Sequence, residues 1–227
     1  MSRVMSRFAA SALAALALAP CASSPVRQPL PSAEAIDTQA QTLMAAEDVK
    51  GMAIAVIEYG QIVHVNAYGY ANREQLRPLS TETVMYGASL TKTAFAYMVL
   101  QLVDERRLDL DRSIADYLPR PLPEYEDYAD LAGDERWRRL TPRILLNHAS
   151  GFANFRWLDD DRKLRFHFDP GTRYAYSGEG IRVLQLVLEQ GLGLDVGAEM
   201  QRRVFDRFGM RRTSMTWAPT SAPTSPT

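Results

Sequence analysis

Apolar positions at Ile36, Leu43 and Met44 recur among polar residues after Ser32, whose hydroxyl can cap a helix, and Glu34 stands in the first turn. The pattern predicts a helix from Ser32 to about Asp48. Two runs rich in β-branched and aromatic residues follow, MAIAVIEY and QIVHVNAYGYA, separated by Gly60 and its neighbours. They predict an antiparallel hairpin. From Thr81 onward the pattern is mostly helical, with loops rich in Asp, Pro and Gly. Over residues 89–106, Leu90, Phe95, Met98, Val99, Leu102 and Val103 fall largely on one side of a helix, which predicts packing against a core. Arg106 and Arg107 would then close this helix at the negative end of its dipole. Thr141 followed by Pro142 reads as a cap and first helical position, with RILLNHA running on to a stop at Gly151. DPGT at 169–172 predicts a tight turn and YAYS an extended stretch, before helices over 180–191 and 195–208.

The two ends carry no such pattern. MSRVMSRFAASALAALALAPCASS places two arginines before an apolar run, Phe8 to Ala19, that is too short to cross a bilayer and is followed by small residues. Residues 1–23 therefore read as a secretory signal peptide, and the protein as exported: periplasmic, lipid-anchored or secreted. Cys21 is the sole cysteine, which excludes an internal disulfide or a cysteine-based metal site. LAPC is similar to the lipobox of bacterial lipoproteins, with Pro20 where that signal has a small residue. Two alternatives stand: membrane anchoring through a lipidated Cys21, or ordinary cleavage just after it. Residues 24–31, SPVRQPLP, read as a proline-rich tether, 32–217 as the globular domain, and 218–227, APTSAPTSPT, as a low-complexity tail.

Composition narrows the function. An apolar share of 46% is that of an ordinary globular protein, and a formal charge of -1 gives no electrostatic footprint for nucleic acid. Among 26 basic residues only Lys50, Lys92 and Lys163 are lysines. Arginine stays protonated, whereas a desolvated lysine can release its proton, so each lysine asks for a reason. Lys92 lies three residues after Ser89, a spacing that shares a helix face. Gly87 and Ala88 precede without bulk and place Ser89 at a helix start, where an amine beside the hydroxyl can act as its base. Taken alone, the spacing also fits a serine cap and a solvated lysine.

Two further stretches, LLNHASGF at 145–152 and FDPGTRYAYSGEG at 168–180, follow YGASLTK. Together the three resemble, in order and style, the serine β-lactamase and penicillin-binding protein family, particularly its class C-like branch with D-alanyl-D-alanine carboxypeptidases and related esterases. The resemblance covers about Ala33 to Trp217. It implies an α+β, β-lactamase/transpeptidase-like fold, an antiparallel sheet plus a helical region. It also implies that Ser89 forms an acyl-enzyme, that Lys92 activates it, and that Tyr176, matching the tyrosine of the family's Y-x-N motif, passes protons between nucleophile and leaving group. On its residues alone, Tyr176 would equally read as a strand aromatic covering the core, and Tyr174 reads so.

The sequence departs from this family twice. Gly178 stands at the asparagine of Y-x-N, which argues against a dedicated β-lactamase and favours a small-molecule ester, amide or peptide substrate held by other contacts. After GMRRTSMTW the chain runs into the tail without the K-T-G or H-x-G strand that supplies the family's second oxyanion donor. The C-terminal strands of the sheet are thus expected to be missing, through a shifted reading frame near Ala218, a true truncation, or a separate chain carrying the rest. The hairpin is then expected to expose apolar surface. His148, beside a helix end, reads as structural; His64, His167 and the sequence offer no metal spacing, so no metal or cofactor is expected. Asp159, Asp160 and Asp161, interleaved with Arg156, Arg162 and Lys163, read as a solvated loop. The competing reading is a non-enzymatic binder of cell-wall peptides or β-lactams, or an inactive remnant. Oligomeric state leaves no mark in the sequence.

Overall fold

The computed structural model describes residues 29–216. The signal peptide with Cys21, most of the tether, and the low-complexity tail lie outside the described residues. The chain forms two compact units that divide between Thr83 and Val84.

In the first unit, helix α1 (Ala33–Ala46) starts where predicted: Ser32 accepts a hydrogen bond from the Ala35 N–H at 3.1 Å. Strands β1 (Gly51–Glu58) and β2 (Gln61–Asn72) form the hairpin, with Gly60 at a left-handed φ of 75° in its turn. A bulge between Val56 and Ile57 shifts the register, and a two-residue β3 (Arg77–Pro78), absent from the sequence reading, extends the sheet in the order β1-β2-β3. One hairpin face carries His64, Asn66 and Tyr68 towards α1. There Asp37 Oδ1 accepts from Tyr68 Oη at 2.5 Å and from Asn66 Nδ2 at 3.1 Å, with His64 Nε2 also at 3.1 Å. These bonds, Tyr68's foremost, hold the Asp37 carboxyl below its ordinary range. The other face exposes Ile57, Val63 and Val65, the apolar surface that the sequence led one to expect.

The second unit is built on α2 (Thr91–Asp104), α3 (Pro142–Leu146), α4 (Gly178–Leu186) and α5 (Val196–Met200), joined by 3₁₀ turns. Helices α4 and α5 each continue into a π-helical turn, Val187–Gly191 and Gln201–Phe205. Phe95, Met98, Val99 and Leu102 of α2 join Val183 and Leu184 of α4 in one core cluster.

Several sequence expectations need correction. The helix predicted over 89–106 begins at Thr91 and ends at Asp104, so Arg106 and Arg107 lie beyond it, Arg106 in a left-handed turn at φ 58°. Leu90, assigned to the core side, is 80% exposed because the 3₁₀ turn before α2 rotates it off the helical stripe. Helix α3 does not reach Gly151: His148 turns left-handed at φ 58° and ends it early. Tyr174, read as covering the core, is exposed; YAYS, read as an extended stretch, ends extended at Ser177 (φ -136°, ψ 113°) but joins no ladder.

Leu102→Ala is expected to cost about 2–5 kcal/mol, because Leu102 is fully buried, whereas Leu90→Ala should cost less than about 0.5 kcal/mol. Denaturant unfolding of the two variants measures the contrast that the sequence pattern alone would deny.

Candidate active site

Ser89 sits in the 3₁₀ turn Ala88–Leu90, closed by the Leu90 N–H donating to the Gly87 carbonyl at 3.0 Å. Ala88, just before it, holds a left-handed φ of 42°, which costs a residue with a β-carbon roughly 1–2 kcal/mol. Such strain persists only where surrounding structure enforces it. Neither this turn nor α2 has a side-chain cap, so the reading of Ser89 as an ordinary cap fails. Its hydroxyl oxygen instead accepts a hydrogen bond from Lys92 Nζ at 3.1 Å. The expected burial is not found: Ser89 is exposed and Lys92 half-buried.

Tyr176 lies just before α4, 38% exposed, and Lys92 Nζ stands 5.2 Å from its ring centroid. Hydrogen bonding from Ser89, then from Lys92, holds the Tyr176 phenol below its ordinary range against some opposing desolvation, and the Lys92 charge adds to the effect. The structure therefore brings together all three residues singled out in the sequence. Serine oxygen, amine and phenol form one connected group in which stabilising the phenolate makes it a proton acceptor for the serine.

The segment before α4 is held from below. Ser177 caps α4, accepting from the Gly180 N–H at 2.9 Å while donating to the Ala153 carbonyl at 3.0 Å. Glu179, fully buried, accepts from the Arg156 backbone N–H and Nε, each at 3.1 Å, and from Nη2 at 2.9 Å. Burial pushes the Glu179 carboxyl up, but the Arg156 hydrogen bonds and charge outweigh it and leave the carboxyl below its ordinary range. Arg156 thus belongs to this buried pair and not to the acidic loop. Asp159 is also partly buried, with its Oδ2 3.1 Å from His167 Nε2 and 3.3 Å from Arg165 Nε, so the loop is less solvated than its composition implied.

Gly178 has a structural reason. Its N–H lies 3.0 Å from both the Asn154 carbonyl and Asn154 Oδ1, and a β-carbon there would stand 2.8 Å from that carbonyl oxygen. Sequence reasoning saw Gly178 only as a lost asparagine and passed over Asn154. A glycine inside an otherwise bulky motif was the available signal of close backbone approach. His148, read as structural, packs its ring on Tyr176 with centroids 4.4 Å apart. Among the described residues no group of three His, Cys, Asp or Glu is arranged to hold a metal ion.

A model of the beta-lactamase family matches residues 36–225. Relatives include a D-aminopeptidase of Cereibacter sphaeroides, 29% identical over a 174-residue alignment that covers 73% of this chain and 33% of that protein. The esterase EstB of Burkholderia gladioli is 30% identical over 187 residues, covering 71% of this chain and 46% of the esterase. This chain thus spans between a third and a half of the length of these two relatives. Among solved structures, a class C beta lactamase superposes with a TM-score of 0.62 at 22% identity, over 78% of this chain and 49% of that one, a likeness of fold. With the hairpin, most of α1 and the Ser89, Lys92 and Tyr176 group inside the matched span, this chain belongs to the beta-lactamase family and has its β-lactamase/transpeptidase-like fold.

Proposed function

We propose that this chain is part of an exported serine hydrolase that cleaves an ester, small amide or peptide through an acyl-enzyme on Ser89. The observation that carries the reading is the hydrogen bond from Lys92 Nζ to Ser89 Oγ at 3.1 Å, beside a tyrosine whose phenolate that same pair favours. Relatives named as an esterase and a D-aminopeptidase agree with this substrate range.

In the proposed reaction Ser89 Oγ attacks the substrate carbonyl while its proton passes to the Tyr176 phenolate, and the Lys92 side chain steadies the negative charge on the tyrosine. Collapse of the tetrahedral intermediate breaks the bond to the leaving alcohol or amine, which takes the proton from Tyr176. Water then attacks the acyl carbonyl, gives a proton back through Tyr176, and releases the acid and free Ser89. Gly178 leaves no side-chain amide at that position to bind a substrate amide, so ester or loosely held amide substrates fit better than a dedicated β-lactam.

Three measurements test this reading. 4-Nitrophenyl acetate should acylate Ser89, seen as a mass increase on the peptide containing it, and Ser89→Ala should abolish the label. Label followed by release identifies the hydrolase, label without release favours the binder, and undiminished hydrolysis by Ser89→Ala would refute the assignment. Second, the phenol titration of Tyr176, isolated as the difference between wild type and Tyr176→Phe, should fall below that of a free tyrosine and move up in Lys92→Met. Because the phenolate is the proposed base, acylation should rise with pH through this lowered titration. Third, growth with a clickable fatty acid should label the protein at Cys21 if it is lipid-anchored, with the label lost in Cys21→Ser; an unlabelled, exported wild type identifies ordinary cleavage.

A further inference from the structure

Tyr176 is held by its two chain neighbours, and one residue holds both. The Ala175 N–H donates to the His148 carbonyl at 2.8 Å, and the Ser177 N–H donates to His148 Nδ1 at 3.1 Å. The imidazole itself lies against the Tyr176 ring at 4.4 Å, with planes 38° apart, and meets Tyr174 edge-on at 6.1 Å. His148 is in turn anchored. It ends α3 in a left-handed conformation, and the next residue, Ala149, donates its N–H to the Ile144 carbonyl at 2.9 Å and accepts from the Gly171 N–H at 2.8 Å. With Nδ1 accepting the Ser177 N–H, the shorter of its two contacts with that residue, the neutral ring carries its proton on Nε2. Charged and titratable groups facing the ring are Lys92 from α2, and Tyr174 and Tyr176 from the loop.

We propose that His148 is the positioning residue for Tyr176: as a neutral imidazole it clamps the peptide groups on both sides of the tyrosine and so sets the phenol against Ser89 and Lys92. The inference rests on the site reading given above and adds to it a group that touches no substrate. Protonation undoes the clamp. An Nδ1–H cannot accept from the Ser177 N–H, so that bond is lost and two donors face each other, while Nδ1 becomes a donor to the Ser177 carbonyl, 3.2 Å away. Burial, and then the Lys92 charge, disfavour the imidazolium more than the Ser177 carbonyl supports it, which keeps the clamp closed around neutral pH and releases it in acid.

The test uses the full chain and two variants suited to the left-handed backbone at 148. His148→Gly removes the ring without backbone strain, and His148→Asn keeps an acceptor near the place of Nδ1 that does not titrate. Three readouts are compared: thermal unfolding, the Tyr176 phenol titration, and the rate of Ser89 acylation by 4-nitrophenyl acetate across pH. In His148→Gly the Tyr176 titration should return towards that of free tyrosine and acylation should slow by about tenfold to a hundredfold. His148→Asn should recover most of the rate, keep the rise through the Tyr176 titration, and lose the second, steeper fall that wild type shows at more acid pH as His148 protonates. A folded His148→Gly with an unchanged Tyr176 titration and rate would overturn the proposal, as would that second fall retained in His148→Asn. Should His148→Gly fail to fold, the presence or absence of the second fall in His148→Asn decides alone. Failure of the site reading looks different: wild type itself would lack the lowered Tyr176 titration or the Ser89 label, and the clamp would fall with it.

Discussion

The apolar core shared by α2 and α4 is the constraint on which the site depends. Met98, Val99 and Leu102 on one helix and Val183 and Leu184 on the other are fully buried in a single cluster. Each such side chain is stabilised by roughly 1.5–3 kcal/mol relative to exposure. No polar group near Ser89 contributes on that scale, since the serine is exposed and its contacts reach solvent. What the core fixes is where two helices begin. Ser89 and Lys92 sit at the start of α2 and Tyr176 just before α4, so residues 87 positions apart in the chain meet because their helices are packed.

Beneath that meeting point the polar groups are ordered by burial. Glu179 and Arg156, deepest, exchange several hydrogen bonds and tie the 153–156 loop to the first turn of α4. His148, half-buried like Lys92, holds the backbone around the tyrosine, and Tyr176 and Ser89 stand at the surface. Rigid groups below and reactive groups above is the arrangement that lets an exposed hydroxyl keep a defined geometry.

Much of this was legible from local chemistry. Ser32, Thr141 and the alternation of the hairpin strands placed α1, α3 and β1–β2 near their observed starts, because a cap or a period of two acts within a few residues. The spacing of Ser89 and Lys92 likewise survives the replacement of an expected α-turn by a 3₁₀ turn. Periodicity could not anticipate that turn, the exposure of Leu90, or the early end of α3 at His148, since each depends on a left-handed residue that tertiary packing selects. Nor could spacing reveal that His148 reaches Ser177, 29 residues away, or that Arg156 pairs with Glu179 in preference to its acidic neighbours. Those choices are made by the core.

Gly178 shows how such packing constrains the motif. The family-like asparagine at this position could not simply be restored: its β-carbon would press on the Asn154 carbonyl, a backbone atom that cannot swing aside as a side chain would. Positions 178 and 154 are thus coupled through packing: an asparagine at 178 would need the 154 backbone to retreat with it, so substrate contacts built around the glycine are sterically easier to accommodate than a side-chain amide at that place.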